Sequence, residues 1–166
     1  MGQAPQPPPL VDQAREAFGQ IVLPTATLAF NPTKRTLVNL DTWFWAQGLT
    51  GAELRGTSAF GLVAVATPGQ LRVTPGDGFA PFTCAWVTAK SDACAYAYRR
   101  SSVGGPVRAL DGSPAYEATG KATWKLRFED NGAPVTIPGA PTELTGPSMT
   151  AAVEVAEVQT IVTGAR

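Results

Sequence analysis

The clearest pattern in the chain is an alternation of apolar and polar positions, most of the latter charged, between residues 121 and 129. Lys121, Lys125, Arg127 and Glu129 alternate there with apolar side chains. A period of two is typical of a β-strand with one face on the core and the other in water. The sequence therefore predicts a strand that ends at the turn signal Asp130-Asn131-Gly132.

Shorter segments with the same period cover much of the remaining chain. Residues 57–66 are apolar on both faces, which predicts a central strand covered on both sides, and Pro68-Gly69 predicts a turn after it. In the last segment the phase of the valines changes near Ala156-Glu157, which predicts a bulge or a change of sheet. The predicted strands are 25–30, 36–46, 57–66, 70–73, 82–87, 94–98, 121–129 and 149–163. This pattern predicts an all-β fold, an immunoglobulin-like antiparallel sandwich.

The first twenty residues differ in character from the rest. Residues 1–9 form a proline-rich tail that is poor in core-forming side chains. Residues 10–20 predict a short amphipathic helix, which caps the open end of the domain or docks on a partner. Its apolar stripe comprises Leu10, Val11, Ala14, Ala17 and Phe18. Residues 21–166 are then expected to form a single β-sandwich domain.

The cysteines bear on the compartment. The chain has no histidine and two cysteines, Cys84 and Cys94, with nine residues between them. Such a pair favours a disulfide in an oxidising compartment over two free thiols, and the usual ligands of a zinc site cannot be completed. We therefore expect a secreted or cell-envelope protein whose signal peptide is absent from this form. No apolar run is long enough to span a bilayer, so no membrane insertion of this form is expected.

Charge argues against a polyanionic partner. Thirteen basic and thirteen acidic residues cancel. A neutral chain has no long-range field to attract nucleic acid, so nucleic-acid binding is disfavoured. Charged residues make up only 16% of the chain, which suits a secreted β-rich domain better than a helical bundle.

Two resemblances rest on motifs in the middle of the chain. The turn Gly76-Asp77-Gly78, the cysteine-bearing loop and Cys94-Ala95-Tyr96-Ala97-Tyr98 resemble the polycystic-kidney-disease (PKD) domain, an immunoglobulin-like sandwich. The chain is also similar to uncharacterised exported actinobacterial proteins often found near pilus or secretion loci. That similarity rests on the segment Leu37 to Trp45, the same turn, the two cysteines, Ser101-Ser102 and Val155 to Gln159. It implies a secreted or surface module.

Catalytic arrangements find no support in the sequence. Ser101 and Ser102 have no histidine to activate them, and Asp77 is most simply a turn residue that binds nearby backbone amides. The remaining candidate carboxylates each lie in a strand or turn context and are too scattered for a calcium site. These are Asp41, Asp92, Asp111 and Glu117. We expect no catalytic residue, no cofactor and no metal.

Aromatic and basic side chains supply the candidate binding residues. Trp43 and Trp45 share one face of a predicted strand and form a platform for a sugar or a protein partner, or else fill the core. Lys121, Lys125 and Arg127 form a basic stripe that is either a solvated face or a site for an acidic partner. Two functions follow. The first is a non-enzymatic structural or adaptor protein with a protein partner in an extracellular or envelope assembly. The second is a carbohydrate- or cell-wall-binding module that uses Trp43 and Trp45.

Overall fold

The computed structural model describes residues 2–159 and 163–164, which form mostly antiparallel β-sheets. These residues contain one helix, α1 (Leu10–Gly19). The strands are β1 (Thr27–Asn31), β2 (Thr36–Leu37), β3 (Asp41–Gln47), β4 (Leu54–Thr57), β5 (Leu62–Thr74), β6 (Phe82–Ala85), β7 (Ala95–Ala97), β8 (Val107–Arg108), β9 (Pro114–Asp130), β10 (Ala133–Val135), β11 (Glu143–Thr145), β12 (Met149–Val153) and β13 (Val155–Ala156).

The large sheet is built around β5 and β9. These two strands pair antiparallel from Leu62 opposite Asp130 to Thr74 opposite Thr119. The other edge of β5 pairs with β4 and then β6, and the other edge of β9 pairs with β8, β12, β11 and β10 in turn. The two long strands are therefore central, and short strands border them on both sides.

A second sheet of three strands has the order β1, β3, β7. Its central strand β3 carries Phe44 and Ala46 on the buried face. A small parallel pair, β2 with β13, lies apart from both sheets, and the backbone N–H of Thr36 donates to the carbonyl of Glu154 at 3.0 Å. Strands β1 and β7 are thus the two edges of the three-stranded sheet.

The main core contains buried side chains from both sheets. The three-stranded sheet contributes Leu28, Phe44 and Ala46, and the large sheet contributes Leu71, Val73, Ala118, Ala122, Trp124, Met149 and Val153. Apolar burial of this kind is the main favourable term in folding, at roughly 25 cal/mol per Å². The alternation predicted for 121–129 is confirmed, because Ala122 and Trp124 are buried while Lys121 and Lys125 are exposed.

Helix α1 covers a second, smaller core at the other end of the large sheet. Ala14 and Ala17 are fully buried, and they pack with Leu62, Ala64, Phe128 and Ile137. The helix lies where the apolar stripe predicts it, with one exception. Leu10 is 42% exposed, while Gln13 is buried and its side-chain amide donates to the carbonyl of Pro8 at 2.8 Å.

The prediction of one continuous strand over 36–46 is wrong, because the structure has two strands there, β2 and β3. Asn39 has a positive φ of 63°, and the N–H of Leu40 donates to the carbonyl of Leu37, so the chain turns between β2 and β3. Asparagine tolerates this left-handed conformation better than most residues. The alternation of Trp43 and Trp45 with Phe44 holds within β3.

The predicted strand 57–66 is also interrupted. A turn closed by Ser58 and Gly61 separates β4 from β5, and Gly61 has a φ of 87°. Pro68-Gly69 is not a turn but a bulge within β5, since Pro68 lies opposite Trp124 and Gln70 opposite Thr123. A bulge allows a strand to accommodate proline and glycine without ending.

The last strand is shorter than predicted. The chain changes partner at Glu154, between β12, which pairs with β9, and β13, which pairs with β2. The predicted change of sheet is therefore real, but it precedes Ala156-Glu157. Residues 157–159 are not in a strand, and the rest of the predicted strand falls largely outside the described residues.

Candidate functional site

Trp43 and Trp45 lie on the face of β3 opposite the core-facing Phe44, and both are half-buried. The Trp43 ring has the Lys90 ammonium 5.3 Å from its centroid, and its indole N–H is buried without a hydrogen-bond partner in the described part of the chain. A segment of the disulfide loop therefore already lies against Trp43. Trp45 is the indole that borders open space.

That space is a groove with a volume of about 900 Å³. Its walls come from β1, β3, β12 and the loop that joins β8 to β9. Its lining residues are Leu28, Ala29, Phe30, Thr33, Lys34, Trp45, Gln47, Arg108, Ala109, Leu110, Asp111, Ala151 and Ala152. This volume lies within the range of ligand-binding clefts, and most of the lining is apolar.

The groove runs along an edge of the three-stranded sheet that pairs with no strand in residues 2–159. The N–H groups of Phe44 and Ala46 donate toward the β7 side, to Cys94 and Val87. Alternation along β3 then directs the backbone groups of Trp43 and Trp45 toward β1. In the register of β1 with β3, this leaves the N–H and C=O of Leu28 and Phe30 directed away from the sheet. Among the described strands, β12 likewise pairs with β9 alone.

Three charged side chains border the groove, and one of them is already engaged. The Asp111 carboxylate accepts a hydrogen bond from the Ser113 N–H at 2.9 Å, and this bond lowers the pKa of Asp111. Lys34 and Arg108 form no ion pair with any carboxylate among the described residues. The groove therefore has two cations and one anion, a net charge of +1, beside an apolar floor.

The predicted basic stripe lies elsewhere. Lys121, Lys125 and Arg127 are exposed on the outer face of the large sheet, on the side of β9 opposite the core residue Trp124. None of these three residues lines the groove that contains Trp45.

Within the stripe, Arg127 is compensated and the lysines are not. Arg127 pairs with Glu53 at 3.0 Å and with Glu129 at 3.4 Å, and Arg55 joins the same network. The Arg127 guanidinium lowers the pKa of Glu53. Lys121 instead lies directly opposite another cation, Arg72.

The disulfide predicted between Cys84 and Cys94 is confirmed, with 5.4 Å between the two Cα atoms. Cys84 belongs to β6 in the large sheet, while the carbonyl of Cys94 accepts from Phe44 in the three-stranded sheet. The bond therefore links the two sheets covalently.

The turn Gly76-Asp77-Gly78 has a structural role next to this link. Both glycines have positive φ, and a Cβ on Gly76 would collide with the carbonyl of Glu117. Asp77 accepts from the N–H of Phe79 at 3.1 Å, as its turn context predicts, and also from the hydroxyl of Tyr96 at 2.6 Å.

Three tyrosines extend this arrangement into the core. Tyr98 is fully buried, donates to the carbonyl of Pro75 at 3.0 Å, and stacks on Tyr116 with 5.3 Å between ring centroids. Burial raises the pKa of Tyr96, Tyr98 and Tyr116, so each phenol stays protonated. The cluster joins β7 to the large sheet.

The serines named in the sequence analysis also have structural contacts. Ser102 is buried, donates to the carbonyl of Pro114 at 2.8 Å, and accepts from the N–H of Val155 at 2.9 Å. Glu154 is buried and pairs with Arg35 at 2.9 Å. No group of acidic or cysteine side chains suited to a metal ion occurs in the described part of the chain.

Comparison with known proteins gives no relative: no family model, curated protein or solved structure matches this chain. Membership in the PKD family or among the exported actinobacterial proteins therefore stays a prediction. No helix in the described ranges is long and apolar enough to cross a membrane.

Most of the groove was missed from the sequence. Its residues come from four separate parts of the chain, and no local pattern connects them. The sequence did contain one sign of the groove, because Leu110 is a large apolar residue within the turn-forming segment Ala109 to Ser113. In the structure this side chain is fully exposed and lines the groove.

Proposed function

We propose that this chain is a non-enzymatic structural or adaptor protein of an exported or cell-surface assembly and that it binds its protein partner in the groove between β1 and β12. The observation that carries the proposal is the coincidence of this apolar groove with the unpaired edge of β1. An extended segment can add to such an edge through main-chain hydrogen bonds while its side chains enter the groove.

The exposed edge and the exposed aromatic surface support each other. Natural proteins usually protect a strand edge with charges, bulges or a covering loop. Here the backbone groups of Leu28 and Phe30 point away from β3, and both residues line the same groove as Trp45. Tryptophan is enriched among the residues that contribute most to protein interfaces.

Helix α1 has a different part in this proposal. Its buried face packs against the large sheet, and the Glu16 carboxylate accepts from the N–H of Ala59 at 2.9 Å. The helix therefore stabilises the fold. The exposed tail before it remains available as a second contact with the partner.

The compartment and the family are part of the same proposal. The disulfide fits an oxidising compartment, which supports a secreted or cell-envelope location. The two sheets with a shared core, and the cross-link between them, support an immunoglobulin-like sandwich. The PKD type rests on the sequence motifs alone, the turn Gly76-Asp77-Gly78 and the segment Cys94 to Tyr98.

Photo-crosslinking from the rim of the groove tests the proposal. A photoreactive phenylalanine analogue in place of Leu110 should form a crosslink to one defined protein in the envelope or culture fluid of the producing organism. The same analogue in place of Val22, which is also largely exposed but does not line the groove, is the matched control. Equal crosslinking from both positions, or none from Leu110, would reject the groove as the binding surface.

Glycan binding is the second candidate, and one observation favours it. Trp45 lies in the groove with the polar side chains of Gln47 and Thr33, a combination that suits a sugar ring. If this alternative is right, wild-type protein is retained on cell-wall polysaccharide and Trp45→Ala is not. Since Trp43 is covered by the segment that carries Lys90, Trp43→Ala should have the smaller effect.

A further inference from the structure

We infer that the occupant of the groove is an extended polypeptide segment in which acidic side chains accompany apolar ones. The inference rests on the proposed function, because it names the chemistry of the partner at the same site. Two independent features carry it: the charge at the rim and the free backbone of β1.

The rim selects for negative charge. Lys34 and Arg108 border the groove without ion pairs in the described part of the chain, and Asp111 is the one carboxylate in the lining. The hydrogen bond from the Ser113 N–H lowers the pKa of Asp111, which therefore stays ionised. Two cations and one anion leave the lining with a net charge of +1. A carboxylate on the partner is the complementary group.

The edge selects for an extended backbone. A strand beside β1 finds the N–H and C=O groups of Leu28 and Phe30 unpaired. Successive side chains of that strand point to opposite sides, so one set of alternate residues faces the side of Trp45 and the other set faces the side of Ala151. Apolar side chains suit this lining, and acidic side chains near the rim reach Lys34 or Arg108. A sugar would use the floor but not the free edge.

A peptide selection tests this chemistry directly. Random peptides of about 12 residues, long enough to span a strand, are selected against the full chain. We expect the recovered peptides to alternate apolar and acidic residues and to lose binding to Trp45→Ala. The double variant Lys34→Gln/Arg108→Gln should weaken binding about fivefold to tenfold, because two rim ion pairs are removed. Successive N–H groups of a strand point to opposite edges. N-methylation of the residues whose N–H groups face β1 should therefore abolish binding of a recovered peptide, whereas N-methylation of the residues between them should not.

The matched control removes the same two residue types from the large sheet, at positions that do not line the groove. Arg72→Gln/Lys121→Gln changes the net charge equally, and it should leave the affinity within about twofold. Recovered peptides without acidic enrichment would overturn the inference, as would equal losses in both double variants or a failure to recover any Trp45-dependent peptide.

The outcome also separates this inference from the proposed function. If the Leu110 crosslinker captures a partner whose binding survives Lys34→Gln/Arg108→Gln, the adaptor proposal stands and the acidic occupant is rejected. If the Leu110 crosslinker captures nothing and the groove retains a polysaccharide through Trp45, both are rejected in favour of the glycan.

Discussion

Reduction of the disulfide provides the most direct test of how the two sheets are held together. Cys84 and Cys94 are ten positions apart, and both are buried. In the chain-entropy model, opening a loop of this length releases about 2.7 kcal/mol of unfolded-state entropy at 25 °C. The free energy of unfolding should therefore fall by about 2–3 kcal/mol on reduction. In a chain of this size, that loss corresponds to a decrease in Tm of roughly 5–10 °C.

The assay is denaturant unfolding followed by tryptophan fluorescence, with and without a phosphine reductant. Reduced wild-type protein keeps both sulfur atoms in the core, so the difference isolates the cross-link from its packing. The variant Cys84→Ala/Cys94→Ala adds the packing loss and should be less stable than the reduced protein. It should not respond to the reductant. A difference below about 1 kcal/mol between oxidised and reduced wild-type protein would refute the entropic argument.

Three further perturbations test packing, titration and surface charge. Gly56→Ala should lower the free energy of unfolding by about 1–3 kcal/mol in urea denaturation, because its Cβ would collide with the backbone of α1, whereas Gly51→Ala has open space and should be nearly neutral. The pKa of Tyr98 is higher in the folded protein than in the unfolded chain, because the phenol is buried. The protonated phenol therefore stabilises the fold fully below the unfolded pKa of about 10, and this contribution to the free energy of unfolding is lost as the pH rises further. Urea titrations between pH 8 and 11.5 should therefore show a steeper alkaline loss for wild type than for Tyr98→Phe, by at most about 1.4 kcal/mol per pH unit; parallel curves would contradict this. Lys121→Glu should raise stability by about 0.2–1 kcal/mol in the same assay, because it turns a like-charge pair with Arg72 into an opposite-charge pair, and a decrease would contradict that reading.

The alternation of apolar and charged residues predicted the second half of β9 correctly, because the pattern itself decides which face of the strand is buried. In β9, charged residues such as Lys121 and Lys125 alternate with Ala122 and Trp124, so one pairing phase is strongly preferred. The strand nevertheless begins at Pro114. Its first half contains small residues, whose burial depends on β12 rather than on their own hydrophobicity.

The errors lie where a distant segment decides the local conformation. Pro68-Gly69 has the composition of a turn, yet it is a bulge because β9 continues alongside and the carbonyl of Thr123 lies close to Gly69. Gly56 lies against the backbone of α1, which no local pattern could reveal. The groove is the extreme case, since Trp45 was named from sequence while Lys34 and Arg108 acquire their meaning only from the fold.

The two edges of the three-stranded sheet, β7 and β1, differ in how they are covered. This difference is the strongest argument for the proposed partner site at β1. At the β7 edge, the link from Cys94 to Cys84 and the hydroxyls of Tyr96 and Tyr98 attach the strand to the large sheet. Those contacts leave little room for an added strand. At the β1 edge, the backbone groups of Leu28 and Phe30 remain unpaired above an apolar groove. The cross-linked β7 edge is thus closed by the fold itself, and the proposed binding site lies at the edge where the described residues leave backbone groups of β1 without a partner.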